Sequence, residues 1–359
     1  MKLLFIVRST LFTTKGGDTI QVEETARELR KAGVEVDIKK TNEKIDYSSY
    51  DLLHFFNIIR PADILVHIKR SKKPFVVSTI LIDYSVYDRQ QRSGMAGKLF
   101  KLLPANGIEY VKTLYRSLLG GDSLVSTSYV WKGQRRSIKE ILQKTKCVLV
   151  QAEKEYTDIV RWYKVAPPFA IIHNGINTQL FQTGRPVSRD EDMVLCVARI
   201  EGIKNQYNLI RALNNTPYKL TLIGNAAPNQ EKYYRQCRKI AASNVSFINY
   251  LPQEQLADHY AAAKVHVLPS WFEVCGLSSL EAAAMGCRVV ITNNGYAGSY
   301  FKDAAFYCDP SQPSSILKAI DRAVSANNTG ELQKKIFQNY TWQKTAEKTL
   351  LVYKKYIEQ

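Results

Sequence analysis

The chain has 359 residues, 45% hydrophobic and 23% charged, which is enough for two soluble domains of ordinary size. It contains no apolar run near the ~20 residues of a membrane span. Fifty Lys and Arg against 33 Asp and Glu leave a net charge of +17, which calls for a polyanionic partner or an anionic surface: nucleic acid, anionic lipid or a nucleotide substrate. Cysteines at 147, 196, 237, 275, 287 and 308 are scattered, mostly in apolar runs, with no C-x-x-C pair. That usage fits reduced core thiols and a cytoplasmic location.

Lys2 to Val7 reads as a first strand, too short an apolar stretch for a signal peptide and without a small-residue cleavage site. A loop follows and ends in Lys15-Gly16-Gly17. Asp18 is the expected cap of the next helix, with Ile20, Val22, Ala26 and Leu29 facing inward and Gly33 as its stop. Glycines at a helix N-terminus let a phosphate approach the backbone, although any tight turn uses Gly-Gly. Strands are expected at 34–38, 51–58, 75–80, 147–152 and 169–172, separated by helical or irregular segments, which makes an α/β domain with a parallel sheet. Asn174-Gly175 has the composition of a turn. Residues 178–191 are polar, with Gly184, Pro186 and Ser188, and read as a linker.

Asp190-Glu191-Asp192 spells a D-x-D metal pair, but it precedes a strand, whereas ligands gather at the C-terminal ends of strands. The second half opens with a strand over 193–198. Arg199 and Lys204 follow it, ahead of a helix through Leu213. Two fixed cations beside helix N–H groups suit a diphosphate; a basic loop in a basic protein is the bland alternative. Strands over 219–223 and 245–251 and a helix over 253–263 come next. Then VHVLPSWFEVCGLSSLEAAAMGCRVVITN, residues 265–293, reads strand, loop, helix, strand. The loop carries Glu273. Ser278 and Ser279 are the expected caps of a helix from Leu280, Gly286 ends it in a left-handed position, and 288–292 is a buried strand. Ser278-x-x-Glu281 also has the form of a capping box. A short strand over 306–309 and a helix over 342–357 complete the chain.

Pro269, Ser270, Glu273, Gly276, Leu277, Glu281, Ala282, Ala284 and Gly286 stand in register with a motif of family 4 glycosyltransferases, P-S, two residues, E-G-F-G-L-P, two residues, E-A-x-A-x-G. The chain departs from it at Val274 and Cys275, where Gly-Phe is common, and at Ser278, where Pro is common. The resemblance spans nearly the whole sequence and is specific in the second half. It implies the GT-B fold: two α/β, Rossmann-like parallel-sheet domains facing a central cleft. Residues 1–183 would form the acceptor-binding domain, 184–341 the nucleotide-sugar domain, and 342–359 a helix crossing back to the first. It implies retaining transfer of a hexosyl group from a UDP- or GDP-linked sugar to a hydroxyl acceptor, a lipid-linked or surface-polysaccharide saccharide, with no cofactor and no metal ligand.

By the same resemblance, Glu273 contacts the donor sugar, with Val274, Cys275, Gly276 and Leu277 in the same loop. Glu281 binds ribose hydroxyls, and Arg199 and Lys204 hold the diphosphate and support its departure. Gly16 and Gly17 face the donor phosphate and sugar, Asn174 and Gly175 match the family's P-N-G-V-D signature, and Tyr250 and Leu251 frame the base. Many members carry His-Asp after the fourth strand; here Ile82-Asp83 stands there, leaving Asp83 as base or sugar-orienting group, or as a solvated loop residue. His54 matches a frequent family His or is a satisfied core residue.

Two other readings share these observations. Nucleotide-sugar 2-epimerases and hydrolases have the same fold and would turn over donor without acceptor. A basic, non-enzymatic polyanion binder would explain the charge, but the cations do not form a helix-turn-helix, a zinc finger or an aromatic RNA platform, so no nucleic-acid partner is expected. Arg89 to Lys139 holds ten cations, among them Arg92, Lys98, Lys101, Arg135 and Arg136, against two acids. Leu, Tyr and Trp are interleaved there, a pattern suited to docking on an anionic membrane.

Overall fold

The computed structural model describes residues 1–90, 103–120, 127–182, 188–327 and 329–358. They divide into two compact units, residues 1–174 with 342–359, and residues 175–341. The boundary therefore falls at Asn174/Gly175 and not at 183, because Ile176 and Phe181 are 2% and 0% exposed in the core of the second unit. Gly184 and Pro186 of the expected linker lie outside the described residues.

The first unit is a six-stranded parallel sheet of β1 (Lys2–Val7), β2 (Glu35–Lys40), β3 (Leu52–Phe56), β4 (Phe75–Ser78), β5 (Cys147–Val150) and β6 (Phe169–Ile171), in the order β2-β1-β3-β4-β5-β6. Every residue of β3, β4 and β5 is buried, as in a sheet covered on both faces. β3 and β4 are shorter than expected because Asn57 (φ +71°) and Ile80 (φ +43°) turn into the left-handed region and end the extended run. The helix Gly17–Lys31 starts one residue before Asp18. Gly16 is its N-cap, so Asp18 does not cap it but accepts hydrogen bonds from Arg8 Nε at 2.6 Å and Nη2 at 3.1 Å.

The helix Trp342–Ile357 packs on Gly17–Lys31, and its Ala346 and Tyr353 join the same core as Phe5 and Val22. His54 ties this helix to the sheet: its ring nitrogens meet Tyr353 Oη at 2.5 Å and Ser78 Oγ at 2.9 Å, and it stacks on Phe56. Burial drives its pKa down to about 3, so the ring is neutral. His54 is a satisfied core residue.

The second unit repeats the architecture with β7 (Asp190–Val197), β8 (Lys219–Ile223), β9 (Val245–Ile248), β10 (Ala263–Leu268), β11 (Arg288–Thr292) and β12 (Phe306–Cys308), all parallel, in the order β12-β11-β10-β7-β8-β9. β7 begins at Asp190, three residues early, because Asp190 pairs with Lys219 Nζ at 3.0 Å and Glu191 with Lys264. Asp190 and the intervening Glu191 of the D-x-D spelling are thus in structural ion pairs at the start of a strand. β9 ends at Ile248, leaving Tyr250 and Leu251 in the loop beyond it. The six cysteines are free and buried. No helix among the described residues is long and apolar enough to cross a membrane.

Candidate active site

In the second sheet the strand order reverses at β7, whose neighbours are β8 on one side and β10, three strands later in the chain, on the other. Such a switch point opens a crevice at the C-terminal ends of the two strands. Arg199 and Lys204 follow β7, and Glu273 follows β10, so both segments converge there.

Lys204 ends a short 3-10 turn, Gly202–Lys204, and is followed by Asn205 in a left-handed conformation, φ +62°. Asn tolerates this shape. Its side chain is 3% exposed and donates to Pro269 O at 3.0 Å and Pro310 O at 2.7 Å, which fixes the loop. The backbone of Trp271 donates to Ile203 O at 2.8 Å and joins this loop to the one after β10. Lys204 Nζ then reaches Glu273 Oε2 at 2.8 Å, and Ser270 Oγ donates to the same oxygen at 3.0 Å. Glu273 is 8% exposed.

The backbone of Glu273 is itself held. Its N–H donates to Asn294 O at 3.0 Å, and its carbonyl accepts from Tyr296 N at 2.8 Å. Gly295 pairs with it as an isolated bridge at φ +110°, and a Cβ on Gly295 would lie 2.1 Å from Glu273 O. Gly224 does the same for the other segment: at φ +148°, a Cβ there would lie 2.1 Å from the carbonyl of Ala198, next to Arg199. Both positions require glycine.

Arg199 donates from Nη2 to Glu201 Oε1 at 2.9 Å, and its carbonyl accepts from Gln206 Nε2 at 2.9 Å. Its side chain remains 40% exposed. Each of the two cations thus already faces one carboxylate, Glu201 for Arg199 and Glu273 for Lys204.

The helix after the Glu273 loop runs Leu277–Ala284, and its N-cap is Gly276 at φ +73°. Ser278 and Ser279 therefore lie inside the helix and do not cap it, and the capping-box reading of Glu281 fails. Glu281 is 5% exposed and accepts from Gln253 Nε2 at 2.7 Å and Tyr260 Oη at 3.0 Å. Desolvation and the Glu281 carboxylate push the Tyr260 hydroxyl well above its usual pKa, so it stays protonated and donates. Val274 and Cys275 are buried, and burial raises the Cys275 thiol pKa, keeping it a neutral lining group. Tyr250 is 60% exposed, with its N–H on Asn225 Oδ1 at 2.9 Å. Gly286 ends the helix at φ +82°, as expected.

The other named residues belong to the first unit or to its junction with the second. Gly16 and Gly17 begin a helix of the first unit, where Gly16 N donates to Thr19 Oγ1 at 3.1 Å. Asn174 and Gly175 are buried where the chain passes between units. Asp83 is half-buried and accepts from Ser85 N at 2.8 Å, at the start of the helix Ser85–Gln90. Among the described residues no three His, Cys, Asp or Glu converge as a metal site.

Residues 180–341 match the family model "Glycosyl transferases group 1". That segment, somewhat under half of the chain, is a glycosyl transferases group 1 segment. It is 29% identical over 212 residues to an uncharacterised glycosyltransferase of Methanocaldococcus jannaschii, an alignment covering 51% of this chain and 53% of that protein, so it spans about half of that relative's length. It is 24% identical to a D-inositol 3-phosphate glycosyltransferase of Corynebacterium diphtheriae over 94% of this chain and 89% of that one. The structure of Anabaena HepE in complex with UDP-glucose superposes with a TM-score of 0.70 at 14% identity, covering 99% of this chain and 100% of that one. The fold is GT-B, with two Rossmann-like α/β units.

Proposed function

We propose that this chain is a retaining family 4 glycosyltransferase that moves a hexosyl group from a nucleoside-diphosphate sugar to a hydroxyl acceptor. The observation that carries the reading is the convergence of Arg199, Lys204, Glu273 and Glu281 on the switch point of the second sheet, inside the segment that matches the family. The UDP-glucose complex of HepE and the naming of relatives as glycosyltransferases support the donor class. An E. coli relative named O-antigen chain mannosyltransferase supports a hexose and a surface-polysaccharide acceptor.

In this reading the departing diphosphate gains negative charge while the sugar gains oxocarbenium character. Arg199 and Lys204 stabilise the first, and Lys204 exchanges its bond to Glu273 for one to phosphate. Glu273, released from Lys204 but still held by Ser270, orients the sugar. Glu281, steadied by Gln253 and Tyr260, accepts from the ribose. The acceptor hydroxyl attacks from the face the diphosphate leaves, so no side chain acts as covalent nucleophile. No metal is needed where two cations already meet the diphosphate.

The test is incubation with UDP- and GDP-hexoses and saccharide acceptors in EDTA, with release of nucleotide followed by chromatography and product anomer by NMR. Transfer with retention and undiminished by the chelator is expected. Donor turnover that needs no acceptor would favour the epimerase or hydrolase, and loss on chelation restored by magnesium or manganese would place a metal at the site.

Asp83 belongs to this proposal as base or sugar-orienting group in place of the missing His. Asp83→Asn is expected to lower kcat while sparing nucleotide binding; a kcat within about twofold of the parent would leave the carboxylate only its bond to Ser85 N.

An anionic membrane is the proposed platform for a lipid-linked acceptor. Arg92, Lys98 and Lys101 lie outside the described residues, but Arg135, Arg136 and Lys139 are exposed on the helix Thr127–Lys144, and Trp131 is 87% exposed beside them. Each cation near an anionic surface contributes roughly 1 kcal/mol. Flotation with anionic vesicles at low salt should recover the protein, weaken as salt rises, and fail for a Trp131→Ala, Arg136→Glu, Lys139→Glu variant. Protein left in the soluble fraction at low salt would remove the membrane from the account.

A further inference from the structure

Glu155 is a carboxyl group for which the reaction outlined above has no use. It is the third residue of the helix Glu153–Tyr163, 0% exposed, at the C-terminal ends of β4 and β5. Its Oε1 accepts from Leu81 N at 2.9 Å and from the Thr79 hydroxyl, and its Oε2 accepts from Gln151 N at 2.7 Å. Two of these donors belong to the segment that leaves β4 and leads to Asp83. Between them Ile80 sits at φ +43°, a conformation that a β-branched side chain adopts only when its surroundings force it. The neighbours on both sides of Ile80 are bound to one carboxyl group, and that group is locked in the core.

We infer that Glu155 is a positioning residue that clamps the exit loop of β4, residues 79–83, in this strained shape and thereby sets where Asp83 stands for the transfer reaction. The inference rests on the proposed function for its catalytic consequence and on geometry for the clamp. Gln151 adds a second tie, since its amide donates to Gln21 Oε1 at 3.4 Å on the helix that opens with Gly17. The β4 exit, the β5 exit and that helix thus share one network. A carboxyl at Glu155 offers acceptor oxygens to both Leu81 N and Gln151 N. An amide cannot: in either orientation its NH2 faces one of those two N–H groups. Glu155→Gln therefore keeps the volume and breaks one arm of the clamp.

The experiment is amide hydrogen exchange on the full chain, read by mass spectrometry, alongside steady-state kinetics. In Glu155→Gln, peptides covering 79–84 should exchange about tenfold faster than in the parent while those of β1 and β3 are unchanged. Turnover should fall about tenfold or more, with the affinity for nucleoside diphosphate within about twofold of the parent. Adding Asp83→Asn should lower it little further, because both changes remove the same placement. If Glu155→Gln melts as a whole, Thr79→Val, which removes only the hydroxyl arm, decides by the same readings. Unchanged exchange at 79–84 overturns the clamp. Faster exchange with turnover within about twofold of the parent overturns its part in the reaction. A parent that transfers no sugar from any donor overturns the proposed function instead, and the exchange result then decides the clamp on its own.

Discussion

Lys204→Ala should lower kcat by about 10²–10³-fold, the usual cost of removing one preorganised group that meets charge developing in a transition state. The substitution also strands Glu273, which is 8% exposed and would keep only the Ser270 hydroxyl at 3.0 Å. An uncompensated buried carboxylate destabilises the fold, by less than for a fully enclosed pair because the Lys204 side chain is 22% exposed. The two effects separate in the double variant Lys204→Ala, Glu273→Gln. Its melting temperature should recover toward the parent, because the stranded charge is gone, while kcat stays low. Recovery of activity together with stability would mean that the lysine serves only to neutralise Glu273.

Gly295→Ala should be, with Gly224→Ala, among the most damaging single methyl groups in the second unit. Its Cβ would fall 2.1 Å from the oxygen and 2.8 Å from the nitrogen of Glu273, both backbone atoms, at φ +110°. Strain of this kind costs about 1–3 kcal/mol for the conformation and a similar amount for the overlap. Gly330→Ala is the matched control, with φ +72° and nothing within 4 Å of the added carbon. Thermal unfolding should show a much larger loss for Gly295→Ala, and nucleoside-diphosphate binding should fail in that variant alone. Equal losses in the two would show that conformation and not the contact with Glu273 decides.

The parallel sheets were legible because strands buried on both faces leave continuous apolar runs. Lys2–Val7, Lys219–Ile223, Arg288–Thr292 and the helix Trp342–Ile357 stand where their patterns put them. Strand ends were less legible. Asn57 and Ile80 leave the β region because of contacts beyond the strand, which a run of apolar letters does not reveal. The Glu273 motif could be read because its residues are contiguous. Its supports could not: Lys204 lies 69 residues away in sequence, and Gln253 reaches Glu281 across 28. Ser278-x-x-Glu281 misled because the helix starts a turn early, at Gly276, whose left-handed shape is available to glycine without the cost of a Cβ. His54 carried the opposite lesson. Its partner Tyr353 lies 299 residues away, so nothing local could separate a core ring from a functional one.

The central claim is that the switch point of the second sheet holds a nucleoside diphosphate through Arg199 and Glu281. Calorimetric titration of UDP and GDP into the parent, Arg199→Ala and Glu281→Ala tests it most directly. One of the two nucleotides should bind the parent at one site per chain, and each variant should bind it roughly ten- to a hundredfold more weakly, as loss of a charged hydrogen bond requires, with Arg199→Ala melting as the parent does and Glu281→Ala somewhat lower because the buried Tyr260 hydroxyl loses its acceptor. Parent-like affinity in both variants, or no binding of either nucleotide to the parent, would contradict the account.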